Sequence, residues 1–155
     1  MSAKPHECWM EAALALAREA AMADEAPVGA VVVRKEKIIG RGRERKIELH
    51  DPTAHAEILA MREAAAKEGD WRLDDCALYV TLEPCAMCAG AALLARVPLI
   101  VYGARNMKFG AVETRVRLLD APQWNHQVAS VGGILKAPCA AVLTEFFARK
   151  RAERK

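Results

Sequence analysis

At 155 residues with 53% hydrophobic content, the chain is long enough for one domain with a true core and too short for two ordinary ones, so a single domain over 1–155 is expected. No run approaches the roughly 20 uninterrupted apolar residues that span a bilayer, and the opening MSAKPHECWMEAALALAREA carries Glu11 and Glu19 in an amphipathic pattern unlike a secretory signal; a soluble, cytoplasmic protein with no membrane partner is the expectation. The formal charge is +3, but RKRAERK at 149–155 carries +4 of it and leaves −1 for the remainder, and such a tail reads equally as a solvated helix end complementing the helix dipole or as a nucleic-acid contact.

In chain order, residues 7–23 repeat apolar positions at helical spacing and predict a first helix. PVGAVVV (27–33) and KIIGRGR (37–43) read as strands with the charged RKEK as their turn, a hairpin. Residues 54–68 predict a helix, CALYVTL (76–82) a buried strand, 85–95 an Ala-rich helix and LIVYGA (99–104) a further strand. Strand, helix and strand in succession predict that 76–82 and 99–104 pair in parallel through a right-handed crossover, in an α/β sheet with helices on its faces. KFGAVETRVRLLDAPQWNHQ is mixed and predicts a short helix and a loop. GGIL (132–135) is a candidate short edge strand, and Pro138 marks the start of the last helix.

Five cysteines is an odd count, and without an export signal the pair Cys85-x-x-Cys88 points to metal or redox chemistry instead of a disulfide framework. Cys8, Cys76 and Cys139 read as small buried hydrophobes. Within TLEPCAMCAGA (81–91), Pro84 suits a helix start, and two thiols three residues apart fall on one face of its first turn. The positive end of the helix favours thiolates there. A catalytic zinc typically takes three protein ligands and keeps one position open, so a third ligand is sought among His6, His50, His55 and His126. Only His55 opens a helix expected beside the cysteine helix, and it carries Glu57 two residues on, a carboxylate able to relay protons for a metal-activated water. H-A-E, 26 residues and P-C-A-M-C together have the form of the zinc-deaminase signature H-x-E…P-C-x-x-C. A thioredoxin-like reading leaves His55 and Glu57 idle, and a structural zinc lacks a fourth ligand.

The chain resembles the bacterial tRNA-specific adenosine deaminases of the cytidine-deaminase-like superfamily. Beyond the signature, the similarity runs through HECWMEAALALA, APVGAVVV, HDPTAHAEILA, LYVTLEPCAMCAGA, VYGAR and NHQVASVGGIL…CAAVLTEFFARKR. The resemblance implies a three-layer α/β/α fold with a mixed five-stranded sheet between helices, a homodimer, and one Zn2+ per subunit held by His55, Cys85 and Cys88. It implies that Glu57 shuttles protons while the wobble adenosine of a tRNA anticodon stem-loop becomes inosine. By position it also implies substrate contacts at Val28, Glu44, Arg45, Ala54, Pro84, Asn106, Lys108 and Phe147. Phe147 stands beside the basic run of the final helix, where an exposed aromatic suits a flipped-out base.

Two positions depart from that pattern. Glu44 stands where the family usually has an asparagine touching the target base, and an ionised carboxylate only accepts, so it must face a donor, become protonated or point away. Asn106 stands where an aspartate is usual, removing a negative charge and adding donors that ease contact with phosphate or sugar. Glu44 keeps open a second reading, a deaminase of a free base or nucleoside, such as guanine, on the same scaffold; a third is a non-catalytic, zinc-stabilised nucleic-acid-binding protein, which Glu57 argues against. His126 is expected to hydrogen-bond in a loop, Trp9, Trp71 and Trp124 to pack, and Met10, Met61 and Met87 to fill the core.

Overall fold

Ala30, Val31, Val32 and Val33 send alternate side chains to opposite faces of a strand, and all four are buried, which requires cover on both sides. The computed structural model describes residues 3–154; Met1, Ser2 and Lys155, the last residue of the basic tail, lie outside the described residues. In chain order the elements are α1 (Ala3–Met22), β1 (Gly29–Arg34), β2 (Lys37–Arg43), α2 (Lys46–Leu49), α3 (Ala56–Glu68), β3 (Cys76–Leu82), α4 (Ala86–Leu94), β4 (Leu99–Ala104), a 3-10 turn (Leu118–Asp120), β5 (Ala129–Val131) and α5 (Lys136–Glu153).

The sheet runs β2-β1-β3-β4-β5. β1 is antiparallel to both β2 and β3, whereas β3–β4 and β4–β5 are parallel, so the sheet is mixed. The parallel pairing of β3 with β4 across α4 is the expected one. On one face Ala30, Val32, Leu78, Val80 and Ile100 pack against α3 and α4 through Ala56, Ala60, Ala64, Ala89, Ala92 and Leu93. On the other, Val31, Val33, Tyr79 and Val101 meet Met10, Ala13, Leu14 and Ala17 of α1 and Cys139 of α5. The α1 positions follow the 10, 13, 14, 17 spacing that places side chains on one helical stripe. The result is the three-layer α/β/α sandwich. Among the described residues no helix is long and apolar enough to cross a membrane.

Small residues set how closely the helices approach. A Cβ on Gly42 would stand 2.2 Å from the Ala56 carbonyl oxygen, so the first turn of α3 lies directly on the backbone of β2. That contact fixes the end of α3 from which His55 and Glu57 project.

Several expectations are corrected. The edge strand is Ala129–Val131, not 132–135: Gly132 packs against the Tyr102 ring, Gly133 and Leu135 have positive φ, and the chain there turns into α5. α5 begins at Lys136, with Pro138 inside its first turn, where a missing N–H costs nothing. α2 is a four-residue helix that the pattern did not announce. Cys8 is exposed, unlike buried Cys76 and Cys139. Trp71 and Trp124 are exposed as well; Trp71 lies within reach of the Arg72 and Arg96 guanidinium groups, and Trp124 Nε1–H donates to the Leu118 carbonyl at 2.7 Å. His126 is the expected loop hydrogen-bonder, set between Asn125 Oδ1 and the Leu93 carbonyl.

Candidate active site

α3 and α4 begin side by side at the carboxyl end of β3, and each begins on a residue of the signature. His55 is the N-cap of α3 (φ −79°, ψ 154°) and Cys85 the N-cap of α4 (φ −75°, ψ 177°), and neither uses its side chain to cap its helix. Both are extended there, and imidazole and thiol turn towards each other. Cys88 follows in the first turn of α4 and is fully buried. His55 Nδ1 lies 3.7 Å from Cys85 Sγ and 3.5 Å from Cys88 Sγ, and the three donor atoms all fall within 4.8 Å of one another.

These distances test the fit of a metal. Zn–N of about 2.0–2.1 Å and Zn–S of about 2.3 Å at tetrahedral angles separate nitrogen from sulfur by about 3.6 Å, the spacing observed. One nitrogen and two sulfurs also make a soft donor set. Among the described residues this is the group able to hold a metal, and Glu57 is not part of it.

The charges are graded within the cluster. Cys85 is drawn down to about 4, chiefly because the Cys88 thiol donates to it, with His55 adding a further hydrogen bond against the cost of burial. Cys88 is pushed up by that same hydrogen bond and by burial. His55 is raised by its hydrogen bond to Cys85. Glu57, in the first turn of α3 and 4% exposed, is pushed up to about 7 by burial, with the Cys85 charge adding to it. A carboxyl near neutrality can both take and give a proton at cellular pH.

His55, Cys85 and Glu57 form the floor of an open cleft of about 910 Å³, with Cys88 buried. One wall is Val28, Glu44 and Lys46; the other is Asn106, Lys108 and Phe109. Leu143, Phe147, Lys150, Arg151 and Arg154 of the α5 segment close the mouth. Phe147 is 44% exposed and Phe109 is 69% exposed, so both present aromatic surface there.

Of the residues expected to contact substrate, Val28, Glu44, Asn106, Lys108 and Phe147 line this cleft. Arg45, Ala54 and Pro84 do not. Arg45 turns aside to Glu48, its Nε donating at 2.9 Å, and its backbone N–H donates to the buried Ala54 carbonyl. Pro84 is buried, and its carbonyl accepts the Ala111 N–H at 2.8 Å. Glu44, 5% exposed, pairs with Lys46 Nζ at 3.3 Å, and burial raises its pKa. The Asn106 amide is engaged within its own loop: Nδ2–H donates to the Glu83 carbonyl at 3.4 Å, and Oδ1 accepts the N–H groups of Lys108 and Phe109. One of the two Nδ2–H donors is therefore turned to the Glu83 carbonyl.

Sequence reasoning passed over Lys46 and Phe109, and took Lys150, Arg151 and Arg154 only as part of the basic run at 149–155. Lys46 sits on a helix too short to show a period, and the α5 cations were readable only as a tail.

A deaminase of the cytidine-deaminase-like class is what this sandwich and cluster define, and residues 4–151 match the MafB19-like deaminase family. A tRNA-specific adenosine deaminase of Streptococcus pyogenes serotype M1 is 43% identical over 147 residues, covering 95% of this chain and 86% of the relative. That of Haemophilus influenzae is 44% identical over 150 residues, covering 96% and 87%. The chain belongs to the family of tRNA-specific adenosine deaminases. A solved structure from a study of A-to-I editing by tRNA:A34 deaminases at the wobble position is 44% identical with a TM-score of 0.84, covering 87% of this chain and 98% of that one. A guanine deaminase from Nitrosomonas europaea is more distant, 29% identical with a TM-score of 0.76 and coverage of 92% and 84%.

Proposed function

We propose that this protein hydrolyses the 6-amino group of the wobble adenosine in a tRNA anticodon, releasing ammonia and leaving inosine. The observation that carries the reading is a buried carboxyl, Glu57, beside a three-donor cluster and outside it, at the floor of a cleft whose mouth is basic. His55, Cys85 and Cys88 would hold one zinc per chain. A zinc ion in such a site supplies an activated water at neutral pH, the nucleophile that the reaction needs.

The rest is the work of the chain. Glu57 takes one proton of the attacking water and passes it to ring N1 beside the attacked carbon, then takes the remaining proton from the hydroxyl added at C6 and gives it to the departing amine; the C6 carbonyl forms, the C–N bond breaks and ammonia leaves. Burial suits it to both halves of that exchange. Val28, Leu82, Leu143 and Phe147 supply apolar wall that excludes bulk water and presents surface on which a base can stack. Lys46, Lys108, Lys150, Arg151 and Arg154 place positive charge where an RNA backbone would pass. With an aromatic content of only 5%, recognition rests on the shaped cleft more than on a general single-strand surface.

We further propose that the chain acts as one domain in the cytoplasm, as a homodimer. Exposed Leu94 and Trp124 beside Leu93 and Leu118 support an apolar contact between copies. Glu44 supports a second reading, a free purine such as guanine, because guanine presents ring N–H and amino donors to an acceptor-only carboxylate.

Ammonia release is to be followed from an anticodon stem-loop with adenosine at the wobble position and from free adenosine, cytidine and guanine, with zinc measured per chain. Inosine formed in the stem-loop at one zinc per chain is expected. Turnover of free guanine with none of the stem-loop would overturn the tRNA reading and leave a deaminase; no turnover of any substrate by zinc-replete protein would overturn the catalytic one.

A further inference from the structure

Glu83 lies just before the turn that carries Cys85, is 1% exposed and lines the same cleft, and its carboxylate is turned to the loop that follows β4. There it gathers an unusual set of donors. Oε2 accepts the backbone N–H groups of three consecutive residues, Val112 at 3.1 Å, Glu113 at 2.8 Å and Thr114 at 3.0 Å. Oε1 accepts the Asn106 N–H at 3.2 Å and the Thr114 hydroxyl. Successive N–H groups converging on one oxygen form an anion-binding concavity, filled here by a side chain of the protein itself. These hydrogen bonds hold the carboxyl below the ordinary glutamate range against the cost of burial.

The loop so gathered leaves the end of β4 and has no regular structure from Arg105 to Arg117. Its N–H groups at 112–114 are given to Glu83 in place of a sheet or helix partner. Backbone bonds reinforce the attachment: Glu83 N–H donates to the Ala104 carbonyl at 2.8 Å, and Ala111 N–H to the Pro84 carbonyl at 2.8 Å. Gly110 leaves room for the carboxylate, since a Cβ there would stand 2.6 Å from Glu83 Cδ and Oε1. The tip of this loop is Asn106, Lys108 and Phe109, one whole wall of the cleft. One residue therefore fastens that wall to the chain segment bearing Cys85.

We propose that Glu83 is a positioning residue: it sets the wall at 106–109 in register with the metal-binding turn, so that substrate held by the wall meets the floor at reacting distance. This rests on the deaminase reading above. Glu83 is outside the donor cluster, and on this reading it acts through the wall it holds.

The test compares Glu83→Ala, Glu83→Asp and Glu83→Gln with the parent, all zinc-loaded, measuring zinc per chain, stem-loop Kd by titration, and kcat and KM separately. For Glu83→Ala, kcat/KM is expected to fall by about 10²-fold, as a misplacement of about 1 Å does. Most of the fall should lie in KM and Kd, with zinc still one per chain. Glu83→Asp, a methylene too short to reach all five donors, should resemble the alanine variant; Glu83→Gln, which keeps one oxygen for residues 112–114, should recover most of the loss. Amide exchange at 106 and 112–114 in Glu83→Gln gives a second measure, with acceleration expected at 106 and protection kept at 112–114. A purely structural role predicts instead fewer active molecules with unchanged KM and Kd, and that result, or zinc lost with the carboxylate, would overturn the inference. Parent protein that binds the stem-loop without deaminating it would overturn the function and leave Glu83 to be judged on Kd; parent protein that does not bind it would overturn both.

Discussion

At the floor of the cleft, His55, Glu57, Cys85 and Cys88 hang from the first turns of two helices laid on the sheet through alanines and Gly42. On its walls, Lys46 hangs from the four-residue α2, which has no buried residue, and Asn106, Lys108 and Phe109 from an irregular loop that enters the core at Ala111 and Val112, beyond its tip. A buried carboxylate serves each of these segments. Glu25 accepts the N–H groups of Ile47 at 3.1 Å and Glu48 at 2.8 Å, capping α2 from 22 residues away in place of a side-chain cap of its own. Glu83 does the same for residues 112–114. Hydrogen bonds to a charged group contribute about 1.5–3 kcal/mol each, enough to order a short segment but without the geometric rigidity of a close-packed helix start. The chemistry therefore stands on packing and the recognition on polar contacts, so changes at the floor should abolish reaction whereas changes on the walls and at the mouth should grade it.

The sharpest break of that contrast is at the floor. Cys88→Ala removes one of three donors, and zinc and turnover should fall together below detection; full zinc and activity in that variant would remove the proposed site. Glu57→Ala should keep one zinc per chain, since the carboxyl is outside the donor cluster, while turnover falls by about 10²–10⁴-fold. Zinc lost along with activity would make Glu57 a ligand.

On the walls and at the mouth the expected effects are smaller. Glu44→Asn replaces an acceptor-only group by an amide with donor and acceptor, and deamination of an adenosine stem-loop should hold or rise by up to about ten-fold, the worth of about one net hydrogen bond. A steep fall on a free purine, with no stem-loop activity before or after, would move the assignment to free bases. Smaller still, Arg151→Ala with Arg154→Ala should weaken stem-loop binding several-fold and flatten the dependence of log K on log salt by about 0.7 for each phosphate that is no longer neutralised, with kcat at saturation unchanged. This pair is preferable to deleting residues 149–155, because Lys150 also ties α5 to Asp24 of the α1–β1 connection at 2.9 Å. An unchanged salt slope would return these arginines to the solvated helix end.

The same contrast explains what could be read from the sequence. His55 with Glu57, and Cys85 with Cys88, are local spacings at helix starts, and a helix start announces itself through Pro84 and the apolar period that follows. The sheet was readable because β1, β3 and β4 are continuous apolar runs. The walls were not, because their order comes from contacts distant in sequence: 22 residues from Glu25 to Ile47, and 29 to 31 from Glu83 to residues 112–114. Three-residue β5 is too short to carry a period, and its neighbour GGIL drew attention although Gly132 is there to clear the Tyr102 ring, a Cβ standing 2.5 Å from Cζ. The direction of the Asn106 amide likewise depends on where Glu83 puts the loop.

The donor cluster joins His55 to thiols 30 and 33 residues further along the chain, on helices that follow different strands. An ion held there is then a cross-link as well as a reagent. Closing a loop of about 30 residues removes chain entropy from the unfolded ensemble worth about 3–4 kcal/mol on the cross-link model, a sizeable share of the net stability of an ordinary domain. Zinc supply would thus govern how long the polypeptide survives unfolding and proteolysis in addition to how fast it turns over, and metal-starved protein should be lost first by degradation.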